Sequence, residues 1–263
     1  IYLDFPSVGA TENIMIAAAL ADGVTVIENA AAEPEIIDLA DFLNGMGADI
    51  KGAGGDAIYI EGKPKLHGCV HRIIPDRIEA GTFLISGAIL RSGLRVRNIV
   101  PSHLKPLTAK LEEMGAELKI AEDNITVAAA SGRLKAVDIK TMPYPGFPTD
   151  MQAQMTSLIS TSEGSGIVTE TVFENRFMHV SELCRMGAKI KTDGSLAVVN
   201  GVKKLSGAKV KATDLRAGAA LVIAALAADG KSEICDVEHI ERGYENFCEK
   251  LSGIGADIKR VET

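Results

Sequence analysis

Asp150 is the side chain in this sequence best placed to act as a base. It lies in the run Pro-Thr-Asp-Met-Gln at 148–152, where Thr149 and Gln152 have the spacing of a capping box. Asp150 then falls in the first helical turn, where the partial positive charge of the helix end favours an ionised carboxylate. A carboxylate held in this way can accept a proton from a substrate hydroxyl group. The run therefore predicts a catalytic role for Asp150.

Three arginines are candidates for binding an anion. A guanidinium group offers a planar fork of donors that matches carboxylate and phosphate groups. Each arginine is predicted to lie near the start of a short helix, where a single arginine is more often a surface ion-pair residue. Their equivalent places in successive repeats favour the anion-binding interpretation. The three are Arg176, Arg216 and Arg242.

Other polar residues also precede predicted helices. Helix N-termini present free N–H groups and bind anions, although Ser, Thr and Asp at these places are also ordinary caps. If the repeats pack with approximate rotational symmetry, several such ends face one cleft. Before the apolar helices these residues are Ser7, Asp76, Thr149 with Asp150, and Thr213 with Asp214. Before the outer helices they are Glu33, Ser102 with His103, Asn175 with Arg176, and Glu241 with Arg242.

The sequence favours neither a metal nor a cofactor. His67, Cys69 and His71 alternate, which would place all three on one face of a strand. No fourth ligand is evident nearby, and zinc normally takes three or four protein ligands, so we expect no metal site. Walker, dinucleotide and nucleophile-elbow motifs are missing from the sequence, so we expect no cofactor. The four cysteines form no Cys-x-x-Cys pair and are expected to be reduced, as in a cytoplasmic protein.

A repeated phrase sets the architecture that must position these residues. The nine-residue pattern Leu-x-x-(Met/Ile)-Gly-Ala-x-(Ile/Leu)-Lys occurs four times, with starts 68, 72 and 68 residues apart. Such a period indicates that the chain is built from copies of one supersecondary unit. The copies are Leu43–Lys51, Leu111–Lys119, Leu183–Lys191 and Leu251–Lys259.

Each copy predicts the order strand–helix–strand–helix–strand–strand. An apolar, Ala-rich segment reads as a buried helix, and an amphipathic helix then ends at the Gly-Ala of the repeated phrase. Because one unit cannot cover its own apolar surface, several must pack around a shared core. The sequence therefore predicts an α/β fold of repeated units around buried helices, which could also be a structural domain without chemistry. The predicted buried helices are Val8–Leu20, Ile78–Leu90, Asp150–Ser160 and Leu215–Ala227.

The bulk composition excludes some classes of partner. The net charge of −7 argues against general binding to nucleic acid or to anionic membranes, since both need a cationic surface. We find no apolar run of about 18 residues, as a transmembrane helix would need. The chain opens at Ile1 directly on an apolar run, so we expect it to come from the middle of a longer protein.

Seven specific phrases occur along the whole chain. In the first part they are Ser-Val-Gly-Ala-Thr (7–11), Glu-Asn-Ala-Ala-Ala-Glu-Pro-Glu-Ile (28–36) and Pro-Asp-Arg-Ile-Glu-Ala-Gly-Thr-Phe (75–83). Later they are Phe-Pro-Thr-Asp-Met-Gln-Ala-Gln (147–154), Glu-Thr-Val-Phe-Glu-Asn-Arg-Phe-Met-His-Val (170–180), Ala-Thr-Asp-Leu-Arg-Ala (212–217) and His-Ile-Glu-Arg-Gly-Tyr (239–244). In this order they resemble one family, the UDP-N-acetylglucosamine 1-carboxyvinyltransferases, which are enolpyruvyl transferases.

The resemblance implies an inside-out α/β barrel of six units, three in each of two domains that close on a cleft. Residues 1–74 would be the last unit of the N-terminal domain, and residues 75–263 about three units of the C-terminal domain. The implied reaction transfers the enolpyruvyl group of phosphoenolpyruvate to the 3′-hydroxyl of UDP-N-acetylglucosamine, in peptidoglycan synthesis. About the first third of the enzyme, with its catalytic loop cysteine, would be missing, so we expect this chain to be inactive alone.

The resemblance also implies roles for individual residues. Asp150 would take the proton of the sugar hydroxyl. The whole enzyme would be a cytoplasmic monomer without nucleic-acid or membrane partners; the alternative is a non-catalytic nucleotide-sugar-binding or structural module. The substrate-binding residues would be Arg216 and Arg242 for phosphoenolpyruvate, Ser7, Val8 and Gly9 for the diphosphate, Val172 for the sugar, and Arg176 and Glu33 near the substrates.

Overall fold

Helices and short strands alternate along the chain. The third copy, from Ile139–Lys140 to Leu196–Asn200, has the predicted order strand–helix–strand–helix–strand–strand in full, whereas the predicted first strand of the first two copies is not formed within the described residues. The computed structural model describes residues 1–261. Residues 1–75 and 142–146 form a first unit, and residues 76–141 with the chain from Phe147 onward form a second. The sequence places its boundary at 74/75 and does not predict that residues 142–146 join the first unit. The assignment of these parts to two domains of a longer protein stays a prediction.

The first unit combines two helices with one antiparallel sheet. The sheet has the strand order β1–β3–β2. Its elements are helices α1 (Val8–Ala18) and α2 (Pro34–Gly45) and strands β1 (Val24–Glu28), β2 (Asp49–Lys51) and β3 (Ala57–Glu61).

Among its described residues, the second unit has three small sheets, with orders β4–β6–β5, β7–β8–β10–β9 and β11–β12. The helices are α3 (Arg77–Leu90), α4 (Lys105–Glu113), α5 (Gln152–Ser160), α6 (Met178–Arg185), α7 (Leu215–Leu226), α8 (Glu238–Glu241) and α9 (Phe247–Gly253). The first strands are β4 (Leu94–Arg97), β5 (Leu118–Ile120), β6 (Asn124–Val127), β7 (Ile139–Lys140) and β8 (Ser165–Thr169). The later strands are β9 (Lys189–Asp193), β10 (Leu196–Asn200), β11 (Lys209–Lys211) and β12 (Glu233–Cys235).

Three helices form the interior of the second unit. Most residues of α3, α5 and α7 are buried, and the three helices contact one another. Gly218 of α7 also allows α8 to approach closely, since a Cβ added there would lie 2.5 Å from Cγ1 of Ile240. The Ala-rich segments therefore predicted the buried helices correctly here, and the repeated α/β architecture is confirmed.

Helix α1 departs from the prediction that all four apolar helices are buried. The side chains of Ile16 and Leu20, in and just after this helix, are 53% and 56% exposed. Within the first unit α1 packs against α2, β1 and β3, so its other face has no apolar partner there. The prediction of an all-round buried helix is wrong for this copy.

The helix ends follow the repeated phrase closely. Its glycine lies two residues past the last residue of the amphipathic helix in every copy, and each has a positive φ angle between 91° and 102°. Glycine adopts such a backbone conformation with little strain, whereas a residue with a Cβ is strained by it. The glycine therefore ends the helix at a fixed place. The glycines are Gly47, Gly115, Gly187 and Gly255.

The fourth copy is less regular than the others. The strands predicted after its last helix are not formed within residues 256–261. Helix α8 in this copy contains only four residues. Across the described part of the chain, none of the helices has the length and apolar character needed to cross a bilayer.

Candidate active site

Asp150 lies between two arginines in the second unit. Its Oδ1 accepts a hydrogen bond from Arg176 Nη2 at 2.7 Å, and its Oδ2 accepts one from Arg216 Nη2 at 2.9 Å. Both arginine side chains are only 14% exposed, and the Asp150 side chain is 36% exposed. Burial by itself would raise the pKa of Asp150, but the charges of Arg216 and Arg176 outweigh it and hold the pKa below its ordinary value. The carboxylate is therefore ionised at neutral pH.

A short 3-10 turn presents Asp150 before α5. The turn covers Thr149–Met151, and no side chain caps it. The predicted capping box is wrong, because this tighter turn moves Thr149 away from the capping position. The Thr149 hydroxyl instead accepts a hydrogen bond from Arg176 Nη1 at 3.1 Å. Gln152 is fully buried, and its side-chain amide has no hydrogen-bond partner among the described residues.

Arg216 lies in the first turn of α7. Asp214 caps this helix, since its Oδ1 accepts hydrogen bonds from the backbone N–H groups of Arg216 at 2.8 Å and Ala217 at 2.9 Å. Of the predicted pair Thr213 and Asp214, only Asp214 caps the helix; Thr213 Oγ1 is buried without a hydrogen-bond partner among residues 1–261. Arg216 Nε and Nη1 are also buried, and neither has a hydrogen-bond partner among residues 1–261. The arginine thus keeps donors that an anionic ligand could use.

Tyr244 supports Arg216, and sequence reasoning did not single it out. The Arg216 guanidinium carbon lies 5.6 Å from the centroid of the Tyr244 ring, within cation–π range. The Tyr244 hydroxyl, in a side chain 1% exposed, is 2.9 Å from Thr82 Oγ1 and 3.3 Å from Gln154 Nε2. Burial, the largest influence, raises the pKa of Tyr244. The phrase around Tyr244 belongs to the family resemblance, but nothing in its local spacing indicated these contacts.

Arg242 is not joined to this group. It is exposed at the C-terminal end of α8, rather than at a helix start as predicted. None of the hydrogen bonds or ion pairs of Asp150 in the described chain includes it. The structure therefore brings Asp150, Arg176 and Arg216 together, and it leaves Arg242 at the surface two residues before Tyr244.

Val172 and Phe173 lie on the loop between β8 and α6, close to Arg176. Val172 is partly buried. The Phe173 ring centroid is 4.8 Å from the Arg176 guanidinium carbon. The loop thus supplies an apolar surface beside the charged group.

Four predicted substrate-binding residues belong to the first unit. Ser7 is an ordinary cap, whose Oγ accepts from Ala10 N at 3.3 Å. Val8 is partly buried and Gly9 is exposed, with open space where a Cβ would be. Their role in binding a diphosphate stays a prediction.

Glu33 stands at the start of α2 without capping it. Its Oε1 accepts a hydrogen bond from Tyr144 N at 3.3 Å, and its Oε2 is buried with no partner in the described chain. Burial, with the charges of Glu35 and Glu33, raises the pKa of Glu12. Glu33 thus contributes to an acidic region of the first unit.

The residues that could imitate a metal site do not share a strand face. Residues 67–71 have no strand structure, so the predicted strand is wrong. His71 Nε2 instead contacts Asp38 Oδ1 at 3.0 Å, and Cys69 Sγ lies 3.8 Å from Phe42 O. Within residues 1–261 we find no cluster of three His, Cys, Asp or Glu side chains arranged to hold a metal ion.

The fold and the site together define a class of protein. Ala-rich helices enclosed by small sheets, with a carboxylate held by two arginines where a buried helix starts, are features that we expect of an enolpyruvyl transferase. The crystal structure of the enolpyruvyl transferase NikO from Streptomyces tendae matches with a TM-score of 0.88 and 31% identity, over 97% of this chain and 61% of that chain. An EPSP synthase structure from Acinetobacter baumannii matches with a TM-score of 0.76 at 20% identity, which shows the fold alone.

Comparison of sequences makes the membership specific. The sequence model of EPSP synthase (3-phosphoshikimate 1-carboxyvinyltransferase) matches residues 1–251, and the chain belongs to this family of enolpyruvyl transferases. It is 62% identical over 262 residues to UDP-N-acetylglucosamine 1-carboxyvinyltransferase 2 of Carboxydothermus hydrogenoformans, covering 99% of this chain. It is 58% identical over 263 residues, all of this chain, to the protein of that name from Listeria monocytogenes. The chain spans 62% of the length of both relatives.

Proposed function

We propose that the protein to which this chain belongs transfers the enolpyruvyl group of phosphoenolpyruvate to the 3′-hydroxyl of UDP-N-acetylglucosamine. The names of the most similar relatives support this choice of acceptor. The observation that carries the proposal is the ionised Asp150 carboxylate between Arg176 and Arg216. Such a group combines a proton acceptor with cations for the anionic ends of the substrates.

Asp150 as the structure holds it is a weak base, because its pKa is lowered and both oxygens accept hydrogen bonds from arginines. An anion bound to Arg216 would offset the arginine charge that Asp150 feels, and would raise the proton affinity of the carboxylate. The unpaired Nε and Nη1 of Arg216 are suitable donors for that anion. Binding of phosphoenolpyruvate would thereby prepare Asp150 to take the sugar hydroxyl proton.

The remaining assignments extend this proposal. Arg242 would approach the same anion, since it lies two residues before the buried Tyr244. The helix start at Ser7, Val8 and Gly9 would receive the diphosphate, because helix N-termini bind anions. Val172 would contact the sugar, and Glu33 would lie near the substrates.

We further propose that the isolated chain has no turnover. It spans 62% of a curated relative, and the loop cysteine would belong to the part of the family's enzyme that this chain does not span. A phosphate-release assay with both substrates tests this, and clear activity from residues 1–263 alone would contradict it. The whole enzyme would act in the cytoplasm as a monomer, in cell-wall synthesis.

A second candidate function is a non-catalytic nucleotide-sugar-binding or structural module, which the span of only 62% of a curated relative favours. Calorimetric titration of the chain with UDP-N-acetylglucosamine distinguishes a surviving half-site from a structural module. Weak binding that Asp150→Ala abolishes would support a surviving half-site, whereas no heat of binding would support a structural module. The exposed surface variant Asp193→Ala is the matched control, because no described ion pair includes Asp193.

A further inference from the structure

The buried carboxylate of Glu170 contacts several segments around the site. The residue is only 4% exposed. Its Oε1 accepts hydrogen bonds from Thr141 Oγ1 at 2.7 Å, Val172 N at 2.9 Å and Phe173 N at 3.0 Å. Its Oε2 accepts one from Thr149 Oγ1 at 2.9 Å. Glu170 therefore ties the end of β7, the turn that carries Asp150 and the loop before α6 to one point.

One of these contacts leads directly to Asp150. The Thr149 hydroxyl has a single proton, and donating it to Glu170 leaves the oxygen lone pairs available as acceptors. Arg176 Nη1 donates to that oxygen at 3.1 Å, while Arg176 Nη2 donates to Asp150 Oδ1 at 2.7 Å. A continuous chain of hydrogen bonds thus runs from Glu170 through Thr149 and Arg176 to Asp150.

A simple turn would not need a carboxylate at this position. The backbone N–H groups of Val172 and Phe173 could be satisfied by an amide oxygen, as in glutamine. Only a carboxylate accepts on both oxygens at once, from amides and a hydroxyl on one side and from Thr149 on the other. Burying that charge is costly, and none of the described ion pairs includes Glu170. Compared with a glutamine amide, the carboxylate provides a second acceptor oxygen, which receives the hydrogen bond of the Thr149 hydroxyl.

We propose that Glu170 is a positioning residue that orients the Thr149 hydroxyl and thereby holds Arg176 against Asp150. The same carboxylate fixes the backbone of Val172, on the loop beside Arg176. This inference rests on the proposed function of the Asp150 site, and it adds the element that sets the geometry of that site.

Carboxyl-carbon NMR titration of Asp150 tests the inference without any substrate. In Glu170→Gln, loss of a negative charge alone would lower the pKa of Asp150 or leave it unchanged. Release of Arg176 from its position would raise that pKa. We expect a rise, and a lowered or unchanged pKa would overturn the proposal. Glu163→Gln is the matched control, since Glu163 is an exposed glutamate of the same unit.

Two variants of Thr149 make the test independent of how well Glu170→Gln folds. Thr149→Val removes the hydroxyl and leaves the three hydrogen bonds to Glu170 Oε1 in place. It should raise the pKa of Asp150 without any change in charge. Thr149→Ser keeps the hydroxyl and should preserve the value of the unmodified chain. Equal titration curves for the Val and Ser variants would refute the relay.

Binding of UDP-N-acetylglucosamine is the second measurement. Loss of one hydrogen bond in the relay should weaken binding by about tenfold in Glu170→Gln and Thr149→Val. If the unmodified chain binds no nucleotide sugar, the proposed function of this half-site fails, whereas the positioning role is still decided by the Asp150 titration. Unchanged affinity in both variants of a chain that does bind would argue against the relay.

Discussion

Replacement of Asp150 by asparagine tests whether the two arginines depend on its charge. The Asp150 side chain is 36% exposed and each arginine 14%, so this group lies between a surface pair and a buried one. Surface pairs contribute about 0–1 kcal/mol, and removal of one partner from a buried pair costs about 3–5 kcal/mol. We therefore expect Asp150→Asn to lower the free energy of unfolding of the second unit by about 2 kcal/mol at pH 7.

The measurement must report on the second unit alone, because a chain of two units need not unfold in one step. Tyr244 is the one tyrosine of the sequence in that unit, so its ring signal in a chain labelled with carbon-13 tyrosine follows urea unfolding there. Asp193→Asn is the control, since it makes the same change at an exposed strand position. The control should change the free energy of unfolding by less than about 0.5 kcal/mol.

A double-mutant cycle then isolates the contact with Arg176. The double variant Asp150→Asn, Arg176→Gln, compared with the two single variants, should give a coupling energy of about 1 kcal/mol, because Arg176 is one of the two arginines that pair with Asp150. The coupling should also fade in acid. The pKa of Asp150 in the folded chain lies below the ordinary value of an aspartate, so the stabilisation is present above that ordinary value and is lost as the pH falls through the folded pKa. A coupling energy near zero at pH 7 would refute the reasoning.

Three other substitutions probe the packing beneath the site. Tyr244→Phe keeps the ring and removes the buried hydroxyl, and should lower the unfolding free energy by about 1 kcal/mol in urea titration. Burial lowers the pKa of His179 to about 4, so stability should be complete above 6.5 and fall by about 1.4 kcal/mol per pH unit between 6.5 and about 4. His179→Gln should remove that part of the pH profile, and a profile unchanged by the variant would contradict the assignment. Gly218→Ala places a Cβ 2.5 Å from Ile240 Cγ1 and should cost about 1–3 kcal/mol, seen as a lower Tm; an unchanged Tm would show that the helices can separate.

Local sequence patterns predicted helix positions well. The Ala-rich segments gave the buried helices of the second unit, because a helix without a polar face must be enclosed. The repeated glycine gave the ends of the outer helices, because only glycine adopts the left-handed conformation there at little cost. Helix α1 shows the limit of such reasoning, since the sequence of a segment does not determine which neighbours cover it.

Contacts between distant residues were less predictable. Arg216 and Asp150 were both candidates, but their direct contact joins residues 66 positions apart and no local spacing indicates it. The contact of Tyr244 with Thr82 spans 162 positions. Thr149 was expected to cap a helix. It lies instead in a 3-10 turn, where its hydroxyl contacts Arg176 and Glu170. Each of these features depends on tertiary packing rather than on the residues nearby in the sequence.

The repeats explain why residues so far apart meet. Thr82 lies in the second turn of α3, Gln154 near the start of α5 and Arg216 in the first turn of α7, so all three come from the N-terminal parts of buried helices. The Tyr244 hydroxyl forms hydrogen bonds with both Thr82 and Gln154. Asp150 in turn accepts hydrogen bonds from both Gln154 and Arg216. The N-terminal parts of buried helices from successive copies are thus gathered at one end of the helix bundle, where helix N-termini already favour anions. Differences among the copies at those positions, rather than any change of fold, supply the carboxylate, the arginine and the supporting hydroxyl groups.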